Sequence, residues 1–395
     1  MRYSKAGQQI GSGIRRATCW MAAAALALCL LCISVAGQAG GLQDVTQASV
    51  YPGQAWEKIE KPEAAGYSTA RLQALREWLA SLDTTAMTVA VGGKALFEYG
   101  DQAHLSYLAS VRKSVLAILY GRYVENETIP LNQTLHEIGL TDVDGLLPAE
   151  LEATVENLIT ARSGVYHPAS NSGDSTASAP PRGSQRPGAY YLYNNWDFNA
   201  AGAVFEKLTG KDIYDVLETD LAKPIGMQDF DRARQRKSGD AKRSQHMAYH
   251  MYLSTRDMAR IGLLMLRGGR WQDRQLVSAG WIRRISSLVT PLNEMNPPSY
   301  RSLGTGNRWG YGYMWWVWDA PNSPGPYHGA FTGMGAGGQY ITILPQLDMV
   351  VAHKTDTNQA SAHGPAGRSR SVTGTEYDAI LRMLIAAKCP GGKCQ

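Results

Sequence analysis

Apolar residues recur at helical spacing near the start of the folded region and then alternate as they do in a strand. Over residues 68–82 the apolar positions fall three and four residues apart, which predicts an amphipathic helix. Residues 87–91 then predict a strand, the glycines at 92–93 a tight turn, and residues 94–99 the returning strand. The chain is therefore expected to open with a helix followed by a β-hairpin.

The middle of the chain is predicted to be mainly helical. A long apolar run over residues 110–120 predicts a buried helix, and residues 129–160 predict short helices joined by loops. Residues 167–189 are rich in Ser, Pro, Gly and Asn and predict a surface loop, either a mobile flap over a site or a plain insertion. Four further helical patterns follow, at residues 198–208, 212–221, 255–267 and 278–288.

Strand patterns dominate the last third of the chain. Residues 309–318 contain six aromatic residues and predict one strand with aromatic side chains on both faces. Residues 339–344 and 349–353 predict two more strands around a turn, and residues 376–387 a final helix. Strands at both ends with helices between them predict an α/β fold of the α+β type. Its antiparallel sheet would be flanked by N- and C-terminal helices, with an inserted helical lobe.

The first 36 residues are typical of a secretory signal peptide. Basic residues precede an apolar run at 20–35, which ends in a small-residue cleavage sequence. The run is shorter than the ~20 residues that a membrane span requires, so we expect cleavage, no stable membrane span afterwards, and a periplasmic or secreted protein. The predicted organisation is a signal peptide at 1–36, a lead-in at 37–67, one domain at 68–388 and a tail at 389–395.

The net charge gives no reason to expect a nucleic-acid partner. The 395-residue chain has a formal charge of +5, but four basic residues lie before residue 37 with no acidic residue among them. Without those four, the charge is +1. The sequence has no basic patch of the kind that binds nucleic acid.

Cysteine, histidine and glycine patterns indicate neither a metal nor a cofactor. Beyond the predicted signal peptide only Cys389 and Cys394 remain, a pair that an exported chain can join in a small disulfide. His246 and His250 lie four residues apart but lack the glutamate of a zinc-binding helix. Glycines at 333, 335 and 338 match the dinucleotide fingerprint, yet they lead into a strand and do not open a helix.

Ser110 and Lys113 are the candidate nucleophile and base. They stand three residues apart at the start of an apolar helix, so both side chains lie on one face of its first turn. A serine hydroxyl is a weak nucleophile until a base takes its proton, and a desolvated lysine can be that base. Free N–H groups at a helix start also favour an oxyanion. Alone the pair is a weak signal, because this spacing is common by chance.

Two further segments supply the groups that acyl transfer needs. Tyr193 offers a phenol that can pass protons, and Asn195 offers an amide that can bond Lys113 or a substrate. The glycine-rich run at 328–338 leads into a strand and allows the backbone to approach a substrate closely. Nucleophile, base, proton relay and oxyanion donors are therefore all represented.

In this order the three segments resemble the motifs of the β-lactamase and penicillin-binding serine hydrolases, which contain Ser-x-x-Lys. The closest match is the class C-like branch, whose second motif is Tyr-x-Asn. Sequences flanking the motifs look like the subgroup of esterases and 6-aminohexanoate-dimer hydrolases. The resemblance spans roughly residues 68–387 and implies a β-lactamase/transpeptidase-like fold.

The same resemblance implies a role for each motif residue. Ser110 would be acylated, with Lys113 as its base or as the partner of that base. Tyr193 would relay protons and Asn195 would position them. Tyr166 would contact the substrate from the helical lobe.

The third motif has two readings. His328 begins a His-x-Gly pattern in which Ala330 replaces the usual glycine, whereas residues 336–338 fit members that lack both Lys and His there. In either case the oxyanion would be bound by the N–H of Ser110 and a second backbone N–H. The first reading places that second N–H at Phe331, and the second reading places it at Gly337.

We therefore expect an exported serine hydrolase that cleaves an ester or amide of a small-molecule substrate through an acyl-enzyme on Ser110. The altered third motif and the polar loop at 167–189 favour esters or small linear amides over β-lactams. The alternative is a penicillin-binding or cell-wall-sensing module of the same fold that is acylated without efficient turnover. The oligomeric state is left open.

Overall fold

The computed structural model describes residues 50–171, 173–299, 308–320, 322, 324–356, 371–392 and 394. The predicted signal peptide at 1–36 and residues 37–49 of the predicted lead-in lie outside this part. Within it, no helix combines the length and the apolar character needed to cross a bilayer.

Thirteen strands and ten α-helices are found among the described residues. The strands are β1 (Ala86–Val91), β2 (Lys94–Gly100), β3 (Ser106–Tyr107), β4 (Arg236–Ser238), β5 (Ala248–His250), β6 (Tyr252–Leu253), β7 (Arg270–Trp271), β8 (Arg274–Gln275), β9 (Trp309–Tyr311), β10 (Trp316–Trp318), β11 (Phe331–Gly335), β12 (Gln339–Leu344) and β13 (Met349–Lys354). The helices are α1 (Thr69–Leu79), α2 (Val111–Glu125), α3 (Leu135–Ile138), α4 (Pro148–Leu151), α5 (Val155–Ile159), α6 (Asn195–Thr209), α7 (Ile213–Val216), α8 (Thr255–Leu266), α9 (Ala279–Ile285) and α10 (Gly374–Ala387), with a π-helical turn at Leu217–Ala222.

An antiparallel seven-stranded sheet in the order β2-β1-β13-β12-β11-β10-β9 forms the centre of the fold. The first strand pairs with the last, with Val89 opposite Val351. β12 and β13 are buried along their whole length, because helices cover both faces of the sheet. This is the α/β fold, with antiparallel sheet and helical lobe, that the strand and helix patterns predicted.

Alternating side chains of β12 show which helices cover which face. On one face Thr342 contacts Tyr377 of α10, with their hydroxyls 2.6 Å apart, and Tyr340 stacks on the same tyrosine. On the other face α8 packs so closely that a Cβ on Gly262 would lie 2.3 Å from Val350 and 3.2 Å from Ile341. α2 covers this second face, because Gly333, which pairs with Ile341, approaches the side chain of Ser114 in α2.

The aromatic segment at 309–318 forms a hairpin, so the prediction of one continuous strand is wrong. β9 and β10 pair with each other, and Gly312 donates to the carbonyl of Trp315 at 2.8 Å across the turn. Met314 has a positive φ of 60°, which a continuous strand does not contain. A Cβ on Gly312 would lie 2.5 Å from the carbonyl oxygen of Ser287. The chain therefore reverses where the segment after α9 packs against it.

Both ends of the described chain are fastened to the domain. In the predicted lead-in, Trp56 and Tyr67 are buried, and the N–H of Ile59 donates to the carbonyl of Ala95 at 2.9 Å. At the other end Cys389 and Cys394 form a disulfide, and the N–H of Cys389 donates to the carbonyl of Gly66 at 2.8 Å. Part of the segment assigned to the lead-in thus packs as part of the fold.

Lys354 fixes the end of β13 to the segment that leads into α2. Its Nζ donates to the carbonyl of Ser106 at 2.6 Å and to that of Leu253 at 2.7 Å. These carbonyls belong to the paired strands β3 and β6. The sheet therefore holds the backbone directly ahead of Ser110.

Candidate active site

Ser110 stands at the N-cap of α2, after a strained turn. Ala109 has φ of +48°, in the left-handed region that costs a non-glycine residue roughly 1–2 kcal/mol. The turn is held by Leu108, whose N–H donates to the carbonyl of Met251 and whose own carbonyl accepts from Val111. Ser110 is half-buried, and among the described residues neither its N–H nor its hydroxyl has a hydrogen-bond partner. Both groups are thus available to a substrate.

Lys113 is enclosed one turn further along α2, with a side chain only 1% exposed. Its Nζ donates to the hydroxyl of Tyr193 at 2.7 Å and to Oδ1 of Asn195 at 2.7 Å. The rings of Tyr193 and Phe198 each lie 4.2 Å from Nζ. The structure therefore brings together three of the four residues predicted to be catalytic. The fourth, Ser110, is on the same helix face but makes no hydrogen bond to them.

The second motif lies at the N-terminus of α6, three residues earlier than the predicted helix start. Asn194 caps the helix by accepting from the N–H of Trp196 at 2.9 Å. The N–H of Asn195 donates to Oδ2 of Asp174 at 2.9 Å, and the carbonyl of Tyr193 accepts from the N–H of Ser175 at 3.0 Å. Two residues of the 167–189 loop therefore hold the backbone of the motif.

Burial drives the ionisable groups around Lys113 towards their uncharged forms. Desolvation, followed by the nearby charge of Arg112, holds the pKa of Lys113 well below its usual value. Desolvation likewise raises the pKa of Asp197 well above its usual value, although the hydroxyl of Ser163 donates to this carboxyl at 2.6 Å. An uncharged lysine amine can accept a proton.

The third segment approaches Ser110 at the C-terminal end of β11. A Cβ on Gly335 would lie 2.6 Å from the carbonyl oxygen of Leu108 and 3.1 Å from the backbone nitrogen of Ser110. Two residues earlier, a Cβ on Gly333 would lie 2.9 Å from the hydroxyl oxygen of Ser114, and this hydroxyl donates to the carbonyl of Met314 at 2.6 Å. Only residues without side chains permit this approach between strand and helix.

The two readings of the third motif fall at opposite ends of β11. Phe331 begins the strand and lies four residues, about 13 Å, from Gly335. Ala330 is buried just before it, and His328 lies in an exposed turn. Gly337 lies in the turn that directly follows Gly335, and has φ of +78°. Of these predicted residues, the structure brings only Gly337 to the end of the strand nearest Ser110.

Tyr166 lies in the loop after α5, beside the second motif. The side chain of Asn194 donates to the carbonyl of the preceding Val165 at 2.6 Å. Tyr166 is 6% exposed, its hydroxyl has no partner among the described residues, and burial together with the charge of Asp197 raises its pKa.

The polar loop at 167–189 is fastened at several points and is not a detached flap. The guanidinium of Arg182 donates to both carboxylate oxygens of Glu150, which is 1% exposed. The hydroxyl of Ser170 donates to the carbonyl of His246 at 2.7 Å, and the N–H of Gly188 donates to the carbonyl of Arg162 at 2.7 Å. Together with the bonds from Asp174 and Ser175, these contacts make the loop one wall around the motif.

Three charged residues of the site were not identified from the sequence: Arg112, Asp174 and Asp197. Arg112 lies inside the first motif and Asp197 two residues after the second, but a charged residue in a helix faces solvent in most proteins. Asp174 is one of many polar residues in its loop. Their approach to Lys113 arises from the packing of α2 against α6, which residue spacing does not encode.

Comparison with known proteins identifies the family. A family model described as Beta-lactamase matches residues 74–370. The chain belongs to the beta-lactamase family. This confirms the resemblance read from the three motifs, and the family's serine-hydrolase fold agrees with the antiparallel sheet and helical lobe described above. Among the described residues, no group of three His, Cys, Asp or Glu side chains is arranged to hold a metal ion.

Solved structures in and around this family share the fold. A putative 6-aminohexanoate-dimer hydrolase from Bacillus anthracis has a TM-score of 0.58 and 20% identity, covering 86% of this chain and 87% of its own. EstCE1, a hydrolase with promiscuous acyltransferase activity, has a TM-score of 0.55 and 13% identity, covering 83% of this chain and 99% of its own. A penicillin-binding protein homolog from Caulobacter crescentus has a TM-score of 0.53 and 15% identity, covering 82% of this chain and 98% of its own. At these identities the likeness is one of fold.

A curated relative covers a smaller part of the chain. An uncharacterized protein from Alkalihalophilus pseudofirmus is 28% identical over 127 residues, which is 29% of this chain. The match spans about a third of that relative's length, 34%.

Proposed function

We propose that this chain is an exported serine hydrolase that cleaves an ester or a small linear amide through an acyl-enzyme on Ser110. The observation that carries the proposal is the enclosed Lys113 amine, which lies 2.7 Å from both the Tyr193 hydroxyl and the Asn195 amide. A buried lysine whose pKa is lowered by desolvation, one helical turn from an unpartnered serine, is an arrangement that can activate a hydroxyl nucleophile. Apo hydrogen bonds to a nucleophile often form only once substrate is bound.

Acylation follows from these positions. The hydroxyl oxygen of Ser110 attacks the carbonyl carbon while its proton passes to the amine of Lys113. The tetrahedral intermediate collapses, the bond to the leaving group breaks, and Tyr193 passes the proton to the departing oxygen or nitrogen. A water molecule then attacks the acyl-serine, its proton follows the same relay, and an acid is released as Ser110 is restored. Asn195 holds the amine in place, and Tyr166 contacts the substrate.

The oxyanion of both steps would be bound by two backbone N–H groups. One is the N–H of Ser110, at the start of α2, where the unpaired N–H groups also favour negative charge. The other we assign to the segment between Gly335 and Gly337, because β11 comes closest to Ser110 there. This choice favours the second reading of the third motif over His328, Ala330 and Phe331. Loss of one such donor typically costs ~2.7–4 kcal/mol of barrier.

The substrate class is inferred from two observations. The segment beside Ser110 is Gly335-Ala336-Gly337, without the Lys or His of the commoner third motifs. Similar folds occur in a putative 6-aminohexanoate-dimer hydrolase and in EstCE1, a hydrolase with promiscuous acyltransferase activity. Both favour esters and small linear amides. Export is proposed from the signal-like sequence at 1–36.

Covalent labelling and turnover test the proposal together. A fluorophosphonate probe should label the wild-type protein stoichiometrically and leave Ser110→Ala unlabelled. Turnover of p-nitrophenyl esters, nitrocefin, a D-Ala-D-Ala peptide and the 6-aminohexanoate dimer should be compared for both proteins. We expect turnover of an ester or of the linear amide, lost in Ser110→Ala. A folded wild-type protein that the probe does not label would refute the proposal.

The same experiment separates a hydrolase from a cell-wall-binding module. A module that is acylated without efficient turnover would give stoichiometric labelling and one burst of product. The fold is shared with a penicillin-binding protein homolog, so this outcome is tested with the D-Ala-D-Ala peptide. Steady release of product beyond one equivalent excludes it.

A further inference from the structure

Arg112, which lies between the proposed nucleophile and base in the sequence, is a buried cation without a counter-ion. The residue is 2% exposed, and its Nη2 donates to Oδ1 of Asn199 at 3.1 Å. Its Nε and Nη1 have no hydrogen-bond partner among the described residues, and its guanidinium lies 4.4 Å from the centre of the Tyr249 ring. In the same part of the chain, no carboxylate lies within ion-pair distance of it.

The groups that surround the guanidinium do not offset its charge. The phenols of Tyr107, Tyr214 and Tyr249 keep their protons, because burial raises the pKa of each. Burial, followed by the charges of Arg112 and Arg236, lowers the pKa of His250 to about 4, so this imidazole is neutral at pH 7. A buried cation in such surroundings is unfavourable for stability compared with an apolar side chain.

The position of Arg112 is tied to that of Lys113 through two neighbouring turns of α6. Lys113 bonds Asn195, and Arg112 bonds Asn199 one turn later, so the two cationic side chains are held on the same neighbouring helix. Asn199 in turn donates to Oδ1 of Asn171 at 2.8 Å in the 167–189 loop. The two side chains therefore bond asparagines that lie one turn apart on α6, about 6 Å along the helix axis.

We propose that Arg112 is a positioning residue whose fixed charge keeps Lys113 in the uncharged form that accepts the proton of Ser110. The inference rests on the proposed function, since it assigns Lys113 as the base. Two like charges about one helical turn apart in a desolvated site destabilise each other, and lysine is the one that can release its proton, because arginine keeps its own.

Other charged and titratable groups also face Lys113 and oppose or support this effect. From its own helix the charged neighbour is Arg112. Asp197 faces Lys113 from α6, and Tyr193 faces it from just before that helix. Asp174 faces it from the 167–189 loop. Both carboxylates favour the charged lysine, so Arg112 opposes them. Asp197 is itself driven towards its protonated form by burial, which leaves Asp174 as the main opposing charge.

The pH dependence of Ser110 labelling tests the inference. The second-order rate with a fluorophosphonate probe is measured from pH 5 to 10 on the full chain. In the wild type it should rise with pH as Lys113 loses its proton. In Arg112→Met the midpoint should move up by about one pH unit, which makes labelling about tenfold slower below the midpoint and leaves the high-pH plateau unchanged. Arg112→Lys puts a second titratable amine at this buried position, which by the same argument gives up its charge, so it should move the midpoint in the same direction as Arg112→Met.

A second variant keeps the guanidinium and offsets its charge. Asn199→Asp replaces the amide oxygen that accepts from Arg112 by a carboxylate and should shift the midpoint in the same direction as Arg112→Met. If thermal unfolding shows that Arg112→Met does not fold, Asn199→Asp tests instead whether the charge of Arg112 sets the midpoint.

Two results would overturn the inference in different ways. If the variants slow labelling equally at every pH with an unchanged midpoint, Arg112 has only a structural role, while the proposed function stands. If wild type and Ser110→Ala are labelled alike, the proposed function fails and the inference fails with it.

Discussion

The carboxylate of Asp174 accepts a hydrogen bond from the backbone N–H of Asn195 at 2.9 Å, and with its other oxygen one from the N–H of Thr176 at 3.1 Å. A residue of the polar loop thereby caps the helix that carries half of the candidate site. The loop does not need to close over a substrate to affect catalysis, because it already holds Asn195 and the carbonyl of Tyr193.

Asp174→Ala should therefore reduce activity more than stability. Losing a capping acceptor costs about 1 kcal/mol, or roughly 1–2 °C in Tm for a domain of this size. Misplacing Asn195 and Tyr193 should lower kcat for the best ester about tenfold, because small displacements in an active site have large effects on rate. Asp212→Ala is the matched control, since Asp212 caps α7. It should lower Tm similarly and leave kcat unchanged. Equal losses of kcat in both variants would contradict this role of Asp174.

Lys113 should act as a base and not only as a cation. Lys113→Met removes both properties, whereas Lys113→Arg keeps a cation that cannot release its proton. Both variants should label Ser110 about 10²–10⁴-fold more slowly, the usual contribution of a general base. In the wild type, activity should be lost as pH falls, because the amine becomes protonated. The midpoint should lie below the ordinary lysine value of 10.5, since burial and then Arg112 lower the pKa of Lys113. Near-wild-type labelling of Lys113→Arg would instead indicate an electrostatic role.

Gly335→Ala should disturb the proposed oxyanion site directly. The added methyl group would lie 2.6 Å from the carbonyl oxygen of Leu108 and 3.1 Å from the nitrogen of Ser110, both backbone atoms that cannot rotate away. β11 must shift, so we expect kcat to fall by about 10²–10³. Gly374→Ala is the control, because a Cβ there meets nothing within 4 Å. A Gly335→Ala protein with unchanged kcat would show that the oxyanion donor lies elsewhere.

The free energy of unfolding should rise as pH increases above 7, because the buried Lys354 loses its proton more readily than a lysine in the unfolded chain. Burial lowers the pKa of Lys354 to about 7, whereas an unfolded lysine titrates near ~10.4. Between these values the unfolded state binds more protons, so the free energy of unfolding rises with pH by up to ~1.4 kcal/mol per unit. Urea unfolding at pH 7.5 and 9.5 should show this rise in the wild type and a smaller rise in Lys354→Met. Replacing the exposed Lys58 by Met should leave the rise unchanged. An identical rise in all three proteins would exclude Lys354 as its source.

Much of the architecture could be predicted from local patterns. The β1–β2 hairpin, β12, β13 and the long helices follow from apolar periodicity and glycine turns, and the structure confirms them. The exceptions depend on contacts between distant segments. The hairpin of β9 and β10 needs the close approach of Ser287 to Gly312, and β11 is a glycine-rich strand that forms only because it pairs with β10 and β12.

The motif residues of the site could be predicted from the sequence, but their surroundings could not. Spacing alone relates Ser110 to Lys113, and motif order relates both to Tyr193 and Asn195. Spacing cannot show that Arg112 points away from water or that Asp174 returns to the helix start, because each depends on how α2, α6 and the loop pack. It also cannot show which end of β11 lies beside Ser110, because that depends on how β11 packs against α2.

The pairing of β1 with β13 determines when the site is assembled during synthesis of the protein. The Ser110 helix emerges early from the ribosome, but the strands that support it, β11 to β13, are among the last segments made. Contacts between such distant segments form slowly, because a long loop must close before they stabilise anything. A chain that stops before residue 331 contains Ser110, Lys113 and Tyr193 and still lacks the strand that lies beside Ser110 in the complete fold. We therefore expect the candidate site to be assembled only once the last strands have been made.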